Sequence, residues 1–377
     1  MGKVEIKYRK VLETLKGEIL RGKYSSSLAF PSKAMLIRRF GISNLTAVKV
    51  VSKLKDEGLV RSSQGSGTFV TERGVSRKIG LIPCVLESEF FMPVASVLSQ
   101  LCVENDYSLL FSMMASESVR EAERRDFPAK LMKSVADFIR NRVAGVLFQP
   151  VSFRPDAAEL NARVLAAFKA AGVPVVLLDY DVVPLPQRSD CDLVGIDNVG
   201  AALALTQHLV GQGARNIHFF MRPNCSNVVQ NRMHGVALGV TMAGLGWGER
   251  NVLRCAIDDD KAIRRHLTGR NRPDAVVCGF DMMAMSVKRV ADRMGLAVPG
   301  DLMLAGFDDK ATARYMQPGL TTIHQPSEAI AAAAFRRLQA RIENPSLPAE
   351  KILLQAPLVV RGSTNVISKP QAKGKTK

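Results

Sequence analysis

Short apolar runs alternate with amphipathic stretches along most of this chain, and this alternation limits the folds that the chain can adopt. Each run is four to six residues long and mostly apolar, which is typical of strands buried on both faces of a parallel sheet. The runs lie at residues 79–83, 108–112, 145–149, 174–179, 193–196, 216–220, 275–279 and 303–307. Strands that alternate with helices predict an α/β fold with doubly wound sheets. The pattern restarts at 193–196, so we expect two similar lobes in tandem with a ligand cleft between them.

The first 71 residues have a different pattern, which predicts a winged helix-turn-helix. Apolar residues at helical spacing mark a first helix over 8–20. Ser32 is the predicted cap of a second helix, with Met35, Leu36 and Phe40 facing inward and Gly41 ending it. Ser43 is the predicted cap of a third helix. Its buried stripe comprises Ala47, Val50, Val51 and Leu54, and its outward face Asn44, Val48, Lys49, Ser52 and Lys53. Two β-prone runs around residues 64–67 complete the wing.

Positive charge is concentrated at the two ends of the chain. The formal net charge is +17, of which residues 1–78 carry +11, residues 361–377 carry +5 and residues 79–360 carry +1. A basic segment of this size indicates a polyanionic partner, and with a helix-turn-helix that partner is double-stranded DNA. We therefore expect a DNA-binding domain at 1–71, a linker at 72–78, a two-lobed domain at 79–364 and a disordered basic tail at 365–377.

Several classes of protein are disfavoured by what the sequence lacks. No apolar run reaches eighteen residues, and the first ten residues hold no apolar segment typical of a secretory signal. The six cysteines form no C-x-x-C pair, so we expect reduced thiols in a cytoplasmic protein. The sequence contains no phosphate-binding loop and no His/Cys cluster at metal-ligand spacing. We expect neither a cofactor nor a metal, and no enzymatic activity.

The N-terminal region resembles the GntR family of bacterial transcription regulators. The resemblance rests on Pro31-Ser32, Phe40-Gly41-Ile42-Ser43, Thr46, Glu57-Gly58-Leu59-Val60 and Gln64-Gly65-Ser66-Gly67-Thr68-Phe69-Val70. The family usually places arginines where this chain has Ala34, Asn44 and Val48. Because arginine is the usual reader of guanine, these departures predict a different operator.

Residues expected at the DNA interface lie on the predicted second and third helices and on the wing. Asn44 is suited to pairing with adenine, and Val48 to contact with a thymine methyl group. Lys49 and Lys53, with Arg38, Arg39 and Arg61, are expected to contact phosphates. The full predicted set is Ser32, Lys33, Ser43, Asn44, Thr46, Val48, Lys49, Lys53, Gln64, Gly65 and Ser66.

The body resembles the effector domain of the LacI family, which is built like a periplasmic sugar-binding protein. The resemblance runs from about Lys78 to Thr364. It rests on Asp197-Asn198, His208-Leu209, Gly213, Arg232, Gly235, Arg272-Pro273-Asp274-Ala275, Asp281, Val298-Pro299-Gly300-Asp301, Gly306-Phe307-Asp308-Asp309 and Leu320-Thr321-Thr322-Ile323-His324-Gln325-Pro326. A GntR-type head on a LacI-type body resembles the arabinose-repressor group of bacterial regulators.

This second resemblance implies a set of effector-binding residues. In that family an arginine and an aspartate hold a polar ligand, and they correspond here to Arg232 and Asp308. A fork of guanidinium donors and a carboxylate acceptor together suit a polyol or an acidic ligand. The first lobe is expected to add Phe90, Phe91 and Gln149. Phe280 stands where the family usually has a ligand-contacting asparagine; it can stack on a ring but cannot form a hydrogen bond.

These observations predict a transcription regulator, most simply a repressor, that binds a near-palindromic operator as a homodimer and responds to a small sugar-like effector. The resemblance also implies that residues 92–104 lie at the dimer interface. Two alternatives stay open. One is a constitutive regulator whose cleft is vestigial, which Phe280 favours. The other is a cytosolic solute-binding protein with an incidental basic segment.

Overall fold

The computed structural model describes residues 3–20, 23–24, 29–63, 67–71, 78–83, 91–112 and 121–365. Its N-terminal part is a winged helix-turn-helix, as predicted. Three helices precede a two-stranded antiparallel hairpin in which Val60 pairs with Val70. In chain order these elements are α1 (Lys3–Leu20), α2 (Lys33–Phe40), α3 (Asn44–Asp56), β1 (Val60–Ser63) and β2 (Gly67–Val70).

The core of the helix-turn-helix is formed by the predicted apolar stripes. Leu15, Leu36, Val50 and Leu54 are fully buried and belong to one cluster. Each of α2 and α3 begins at its predicted serine cap, and Gly41 ends α2 with a positive φ of 58°. The prediction that Met35 faces inward is wrong. Its side chain is 55% exposed, because in an eight-residue helix the buried face is filled by Leu36 with Ile37 and Phe40.

The first lobe is a six-stranded parallel sheet between two layers of helices. Its strand order is β4-β3-β5-β6-β7-β13. Helices α4 and α12 pack on one face of the sheet, and α5 and α6 pack on the other. Its elements are β3 (Lys78–Ile82), α4 (Phe91–Glu104), β4 (Ser108–Phe111), α5 (Glu121–Arg140), β5 (Gly145–Phe148), α6 (Ala157–Ala170), β6 (Val175–Leu178), β7 (Asp192–Ile196), α12 (Ser327–Glu343) and β13 (Lys351–Leu354).

The second lobe has the same three-layer design. Its strand order is β9-β8-β10-β11-β12-β14, and only the edge strand β14 runs antiparallel to its neighbour. Helices α7 and α8 cover one face, and α9 and α10 cover the other. Its elements are α7 (Asn198–Gly211), β8 (Ile217–Met221), α8 (Asn227–Met242), β9 (Val252–Arg254), α9 (Asp260–Thr268), β10 (Ala275–Cys278), α10 (Asp281–Arg293), β11 (Met303–Asp308), α11 (Ala311–Tyr315), β12 (Thr321–His324) and β14 (Leu358–Val359).

The two lobes are not arranged in tandem, which corrects the prediction from the sequence. The run at 193–196 does not open the second lobe, because β7 pairs with β6 in the first sheet. The chain then enters the second lobe at α7, returns to the first at α12 and crosses again between β13 and β14. The predicted linker is one residue too long, since Lys78 already pairs with Ser108 in the sheet. None of the described helices is long and apolar enough to cross a membrane.

A buried carboxylate fixes the returning helix α12 to the first sheet. Asp192, at the start of β7, accepts hydrogen bonds from Nε and Nη2 of Arg341 at 2.8 and 2.9 Å. Nη2 of Arg337 lies 2.8 Å from Oδ1 of the same carboxylate, and the backbone N–H of Glu350 donates to it at 2.8 Å. Because this carboxylate has no exposed surface, its negative charge depends on the two guanidinium groups for compensation.

We expect Asp192→Asn to lower the free energy of unfolding by about 3–5 kcal/mol, because it leaves two guanidinium groups near a neutral partner. Urea denaturation at pH 7 measures this. The control is Glu350→Gln, which removes the other ion pair of Arg337 but alters a half-exposed side chain, with an expected loss below about 1 kcal/mol. Equal losses in the two variants would contradict the assigned role of Asp192.

Candidate functional site

The outward face of α3 offers polar, basic and apolar groups to solvent. Asn44, Lys49 and Lys53 are exposed, and Val48 is 40% exposed. Leu45, which was not among the predicted contacts, is 78% exposed on the first turn of the same helix. The helix therefore presents hydrogen-bonding, methyl-contacting and cationic side chains on one accessible surface, as an element that enters a DNA major groove requires.

Several residues predicted at this surface serve the helix-turn-helix itself. The backbone N–H of Thr46 donates to Oγ of Ser43 at 3.2 Å, and the two hydroxyl oxygens lie 2.9 Å apart. Thr46 is buried, so its side chain belongs to the cap of α3. Ser32 caps α2 in the same way, accepting from the N–H of Met35 at 3.3 Å, and Lys33 beside it is exposed. The predicted wing-tip residues Gln64, Gly65 and Ser66 lie outside the described residues.

Arg39, which was predicted to contact phosphate, belongs to a cluster of polar side chains between α1 and α2. Its Nη1 donates to Glu18 at 2.8 Å and to the hydroxyl oxygen of Tyr24 at 2.9 Å. Lys23 also donates to Glu18, at 2.8 Å. Burial alone would raise the pKa of Glu18, but the hydrogen bonds from Arg39, Lys23 and Tyr24 outweigh it and lower that pKa to about 2. This cluster ties α2 to α1 and leaves Arg39 engaged.

The second lobe holds a buried guanidinium at the carboxyl ends of its strands. Arg232, on α8, is only 3% exposed. Its Nε donates to Oδ1 of Asn198 at 2.8 Å, and its Nη1 donates to the carbonyl oxygen of Gly279 at 2.7 Å and to Oδ1 of Asp308 at 3.3 Å. The guanidinium carbon lies 4.4 Å from the ring centroid of Phe307. The structure therefore brings together the predicted pair, Arg232 and Asp308.

Backbone strain surrounds the aspartates of this cleft. Asp308 has a φ of 109° and Asp309 a φ of 53°, which non-glycine residues rarely adopt. Backbone strain of this kind costs about 1–3 kcal/mol per residue and is concentrated at functional sites.

Two side chains contact the carboxylate of Asp308. Nε2 of Gln325 donates to Oδ1 of Asp308 at 2.7 Å, and Nζ of Lys310 lies 3.9 Å from Oδ2 of Asp308.

Asp179 completes the polar cluster from the first lobe, and the sequence-based prediction missed it. It follows β6 directly, a position that the rule for residues at strand ends would have selected. Its backbone is in the left-handed region, with a φ of 73°, and approaches β7 so closely that only Gly195 fits opposite. Burial raises the pKa of the carboxyl to about 6; Arg232 opposes that shift, and Asp308 adds to it. The carboxylate therefore interacts with charges of the opposite lobe.

Two buried acceptor atoms in the cleft have no hydrogen-bond donor within the described part of the chain. They are Oδ1 of Asp179 and Oε1 of Gln325. Leaving such atoms unsatisfied costs free energy, which a ligand that donates hydrogen bonds would recover. A cavity of about 770 Å³ opens beside Gln325 and Asp308 and is large enough for a small metabolite, but its lining includes neither Arg232 nor Asp179.

The remaining predicted effector residues differ in their surroundings. Gln149 follows β5, is buried and hydrogen-bonds to Asp179. Phe280 precedes α10, is partly buried and packs on the core of the second lobe. Phe91 has no exposed surface and lies in the core of the first lobe, with its ring centroid 6.5 Å from that of Phe111. In this position Phe91 cannot form an aromatic wall of the cleft. Phe90 lies outside the described residues.

We expect Asp179→Asn to change the pH dependence of stability. The native pKa lies above that of the unfolded chain, so this carboxyl contributes stability at low pH that is lost as the pH rises from about 4 through about 6. The variant lacks that loss. Above pH 7 it should therefore gain up to about 3 kcal/mol relative to the wild type, measured by urea denaturation between pH 4.5 and 7.5.

Asp181→Asn is the control for this prediction, with the opposite sign. Lys351 outweighs the effect of burial and lowers the pKa of Asp181, so that carboxylate contributes stability at neutral pH that is lost as the pH falls. If the free energy of unfolding changed with pH in the same way in the wild type and in Asp179→Asn, burial would not raise the pKa of Asp179, and the prediction would be wrong.

Comparison with known proteins identifies both parts of the chain. Residues 7–70 match the model for bacterial regulatory proteins of the gntR family, and residues 206–364 match the model for the periplasmic binding protein-like domain. The chain is similar to the HTH-type transcriptional repressor PurR of Klebsiella pneumoniae, with 28% identity over 293 residues that cover 76% of this chain and 80% of that protein.

Solved structures confirm the fold. One is described as a transcriptional regulator of the LacI family from Sanguibacter keddieii; it is 28% identical, with a TM-score of 0.60 over 77% of this chain and 99% of that one. Another, a periplasmic binding protein/LacI transcriptional regulator from Alkaliphilus metalliredigens complexed with D-xylulofuranose, is 20% identical, with a TM-score of 0.60 over 77% and 100% of the two chains. The chain is thus a transcription regulator whose residues 7–70 are similar to the DNA-binding domain of the gntR family, and whose larger domain is similar to the periplasmic-binding-protein-like domain of LacI-family regulators.

Proposed function

We propose that this regulator binds a near-palindromic operator as a homodimer, represses transcription in the cytoplasm and changes its DNA affinity when a small neutral polyhydroxyl ligand binds between the lobes. The observation that carries the ligand response is the pair of donor-free acceptors, on Asp179 and Gln325, beside the buried guanidinium of Arg232. A cleft that had lost its ligand would gain stability by replacing such groups with apolar ones.

The outward face of α3 supports the proposed mode of DNA binding. Asn44 and Val48 are exposed on this face; an asparagine suits paired hydrogen bonds with adenine, and a valine suits contact with a thymine methyl group. Lys49 and Lys53 lie on the same exposed face, where they suit phosphate contacts that fix the position of the helix without reading sequence. Two such helices in a dimer read two half-sites, which gives the operator its twofold symmetry.

Charge in the cleft favours a neutral ligand over an acidic one. The positive charges are already engaged, since Arg232 is paired with Asp308 and Nζ of Lys310 lies 3.9 Å from the same carboxylate, while Asp179 adds a second carboxyl group from the first lobe. An acidic ligand would therefore meet like charge, whereas hydroxyl groups could donate to both carboxylates and to the amide oxygen of Gln325. The sugar complex of the Alkaliphilus metalliredigens regulator supports the same ligand class.

Contacts between the lobes indicate how ligand binding could reach the DNA-binding domain. The guanidinium of Arg222 lies 4.6 Å from the ring centroid of Phe153, and Nδ2 of Asn227 donates to the carbonyl oxygen of Asp181 at 3.0 Å. A ligand that strengthens such contacts shifts the population toward a closed arrangement. We place the dimer interface on α4, where Met92 and Val103 are 58% and 74% exposed, so that closure alters the spacing of the two DNA-binding domains.

Substitutions on α3 should separate sequence readout from phosphate binding. We expect Asn44→Ala to lower affinity by about 1–3 kcal/mol for operator DNA only, through lost preference at one base pair. Lys49→Ala should weaken binding to all sequences and reduce the salt slope by about 1. Fluorescence anisotropy across a salt series, on an operator selected from random DNA, measures both effects.

Lys10→Ala is the control for lost charge, since Lys10 is equally exposed but lies on α1. Its salt slope should match that of the wild type. Equal losses on operator and random DNA for Asn44→Ala would contradict readout by this residue. Failure of the wild type to bind any duplex at low salt would instead support a solute-binding protein.

A thermal-shift screen tests the cleft. A neutral polyhydroxyl compound at about a hundred times its dissociation constant should stabilise the wild type by roughly 2.7 kcal/mol, a shift of several degrees. Arg232→Lys keeps the charge but loses the guanidinium fork, so the shift should disappear. The control Arg289→Lys alters an exposed ion pair on α10 and should retain the shift.

The same screen decides between the ligand-responsive and constitutive alternatives. Sugar acids and nucleosides are included beside neutral sugars. A larger shift with acids would contradict the proposed ligand class, and no shift with any compound would favour a constitutive regulator. A compound that shifts the melting temperature is then added to operator complexes, and unchanged DNA affinity would refute the proposed coupling.

A further inference from the structure

A second cavity lies on the second lobe, at the edge of the sheet opposite the ligand cleft. Its volume is about 280 Å³. Asn271, in its lining, precedes β10, and Arg250 precedes β9, so the cavity lies at the amino ends of these strands. In contrast, Gly279 and Asp308 mark the carboxyl ends where Arg232 is bound. The cavity is therefore separate from the proposed effector site.

Three exposed arginines and no carboxylate line this cavity. The lining comprises Arg250, Leu253, Ala262, Arg265, His266, Gly269, Arg270 and Asn271, and contains no carboxylate. In the described part of the chain, none of the three arginine side chains forms an ion pair or hydrogen bond. Positive charges that line one cavity repel one another, and a bound anion would offset that repulsion.

Carboxylates in the neighbourhood are already engaged elsewhere. Glu249 forms an ion pair with Arg254. Asp260, at the opposite end of α9, contacts Arg289 and Arg293 at 2.6 Å each. Asp274 accepts from the backbone N–H groups of residues 215 and 216 at 2.8 and 3.0 Å. These acids therefore do not neutralise the cavity from within.

A buried histidine, His218, contacts two of the residues that line the cavity. Nδ1 of His218, which is fully buried, lies 2.7 Å from Nε2 of His266, and its Nε2 lies 3.2 Å from Nδ2 of Asn271. The ring of His266 also packs edge-on against Phe220, with centroids 5.0 Å apart. Two residues of the lining, His266 and Asn271, are thus held by the same buried imidazole.

We propose that this cavity binds the phosphate group of a small phosphorylated metabolite as a second ligand site. Guanidinium groups form paired, charge-assisted hydrogen bonds with phosphate oxygens, which favours phosphate over chloride. The volume lies near the lower limit of about 300 Å³ for small-molecule sites, so it fits one phosphate group with a short substituent.

The test uses the full-length protein with two probes, inorganic phosphate and glycerol 3-phosphate. Isothermal titration calorimetry and melting temperatures are compared with potassium chloride at equal ionic strength. Both probes should bind the wild type, with the ester at least as tight as free phosphate if the ligand is a phosphorylated metabolite. Arg265→Ala and Arg270→Ala should each weaken binding at least tenfold, and the double variant should abolish it.

Arg264→Ala is the matched control, because this exposed arginine neighbours Arg265 on α9 but does not line the cavity. It should bind both probes like the wild type. Arg265→Gln and Arg270→Gln repeat the test with polar side chains of similar length. Equal weakening by Arg264→Ala, equal effects of chloride, or no binding of either probe would overturn the proposal and leave the arginines as partners of the α9 carboxyl terminus.

A polynucleotide is the competing occupant, and the same variants distinguish it. If the Arg265 and Arg270 variants lower non-specific DNA affinity while neither phosphate probe binds the wild type, the surface is a nucleic-acid contact and the proposal fails. The cleft variants Asp179→Asn and Arg232→Lys should leave phosphate binding unchanged. The outcome is therefore independent of whether the proposed effector is found.

Discussion

The cleft depends on keeping one positive charge buried. A guanidinium with 3% exposure would be costly without partners, and Arg232 meets that cost with an amide oxygen, a backbone carbonyl and a carboxylate from three different elements. Because these partners lie at the start of α7, just after β10 and at the end of β11, Arg232 fixes the relative positions of the three segments. Two aspartates interact with this charge: Asp308, whose backbone is strained, and Asp179, whose pKa is raised by burial.

The strands of the body were predictable because their apolar runs carry a local signal. Each of the eight predicted runs overlaps a strand of the structure. The assignment of Asp192–Ile196 to the second lobe was wrong because membership of a sheet depends on pairing between distant segments, which a local pattern does not record. The same limit concealed α12, whose packing on the first lobe is set by Arg337 and Arg341 meeting a carboxylate about 150 residues earlier.

The candidate residues divide in a similar way. Serine caps, the buried stripe of α3 and the pair formed by Arg232 and Asp308 followed from residue type, spacing and resemblance. Side-chain direction did not, since Arg39 turns toward Glu18 and Phe91 into the core through tertiary contacts. Asp179 was within reach of the strand-end rule. Its donor-free oxygen, however, became visible only with the opposite lobe in place.

The three crossings of the chain between the lobes have a consequence for how the body assembles. Neither lobe is one uninterrupted stretch of sequence, since α12 and β13 of the first lobe follow most of the second. During synthesis the first sheet lacks its edge strand β13 until residues 351–354 have been made. Asp192 likewise has no ion-pair partner on α12 until Arg337 and Arg341 have been made. The first lobe is therefore completed only after most of the second has been made, which couples the folding of the two lobes.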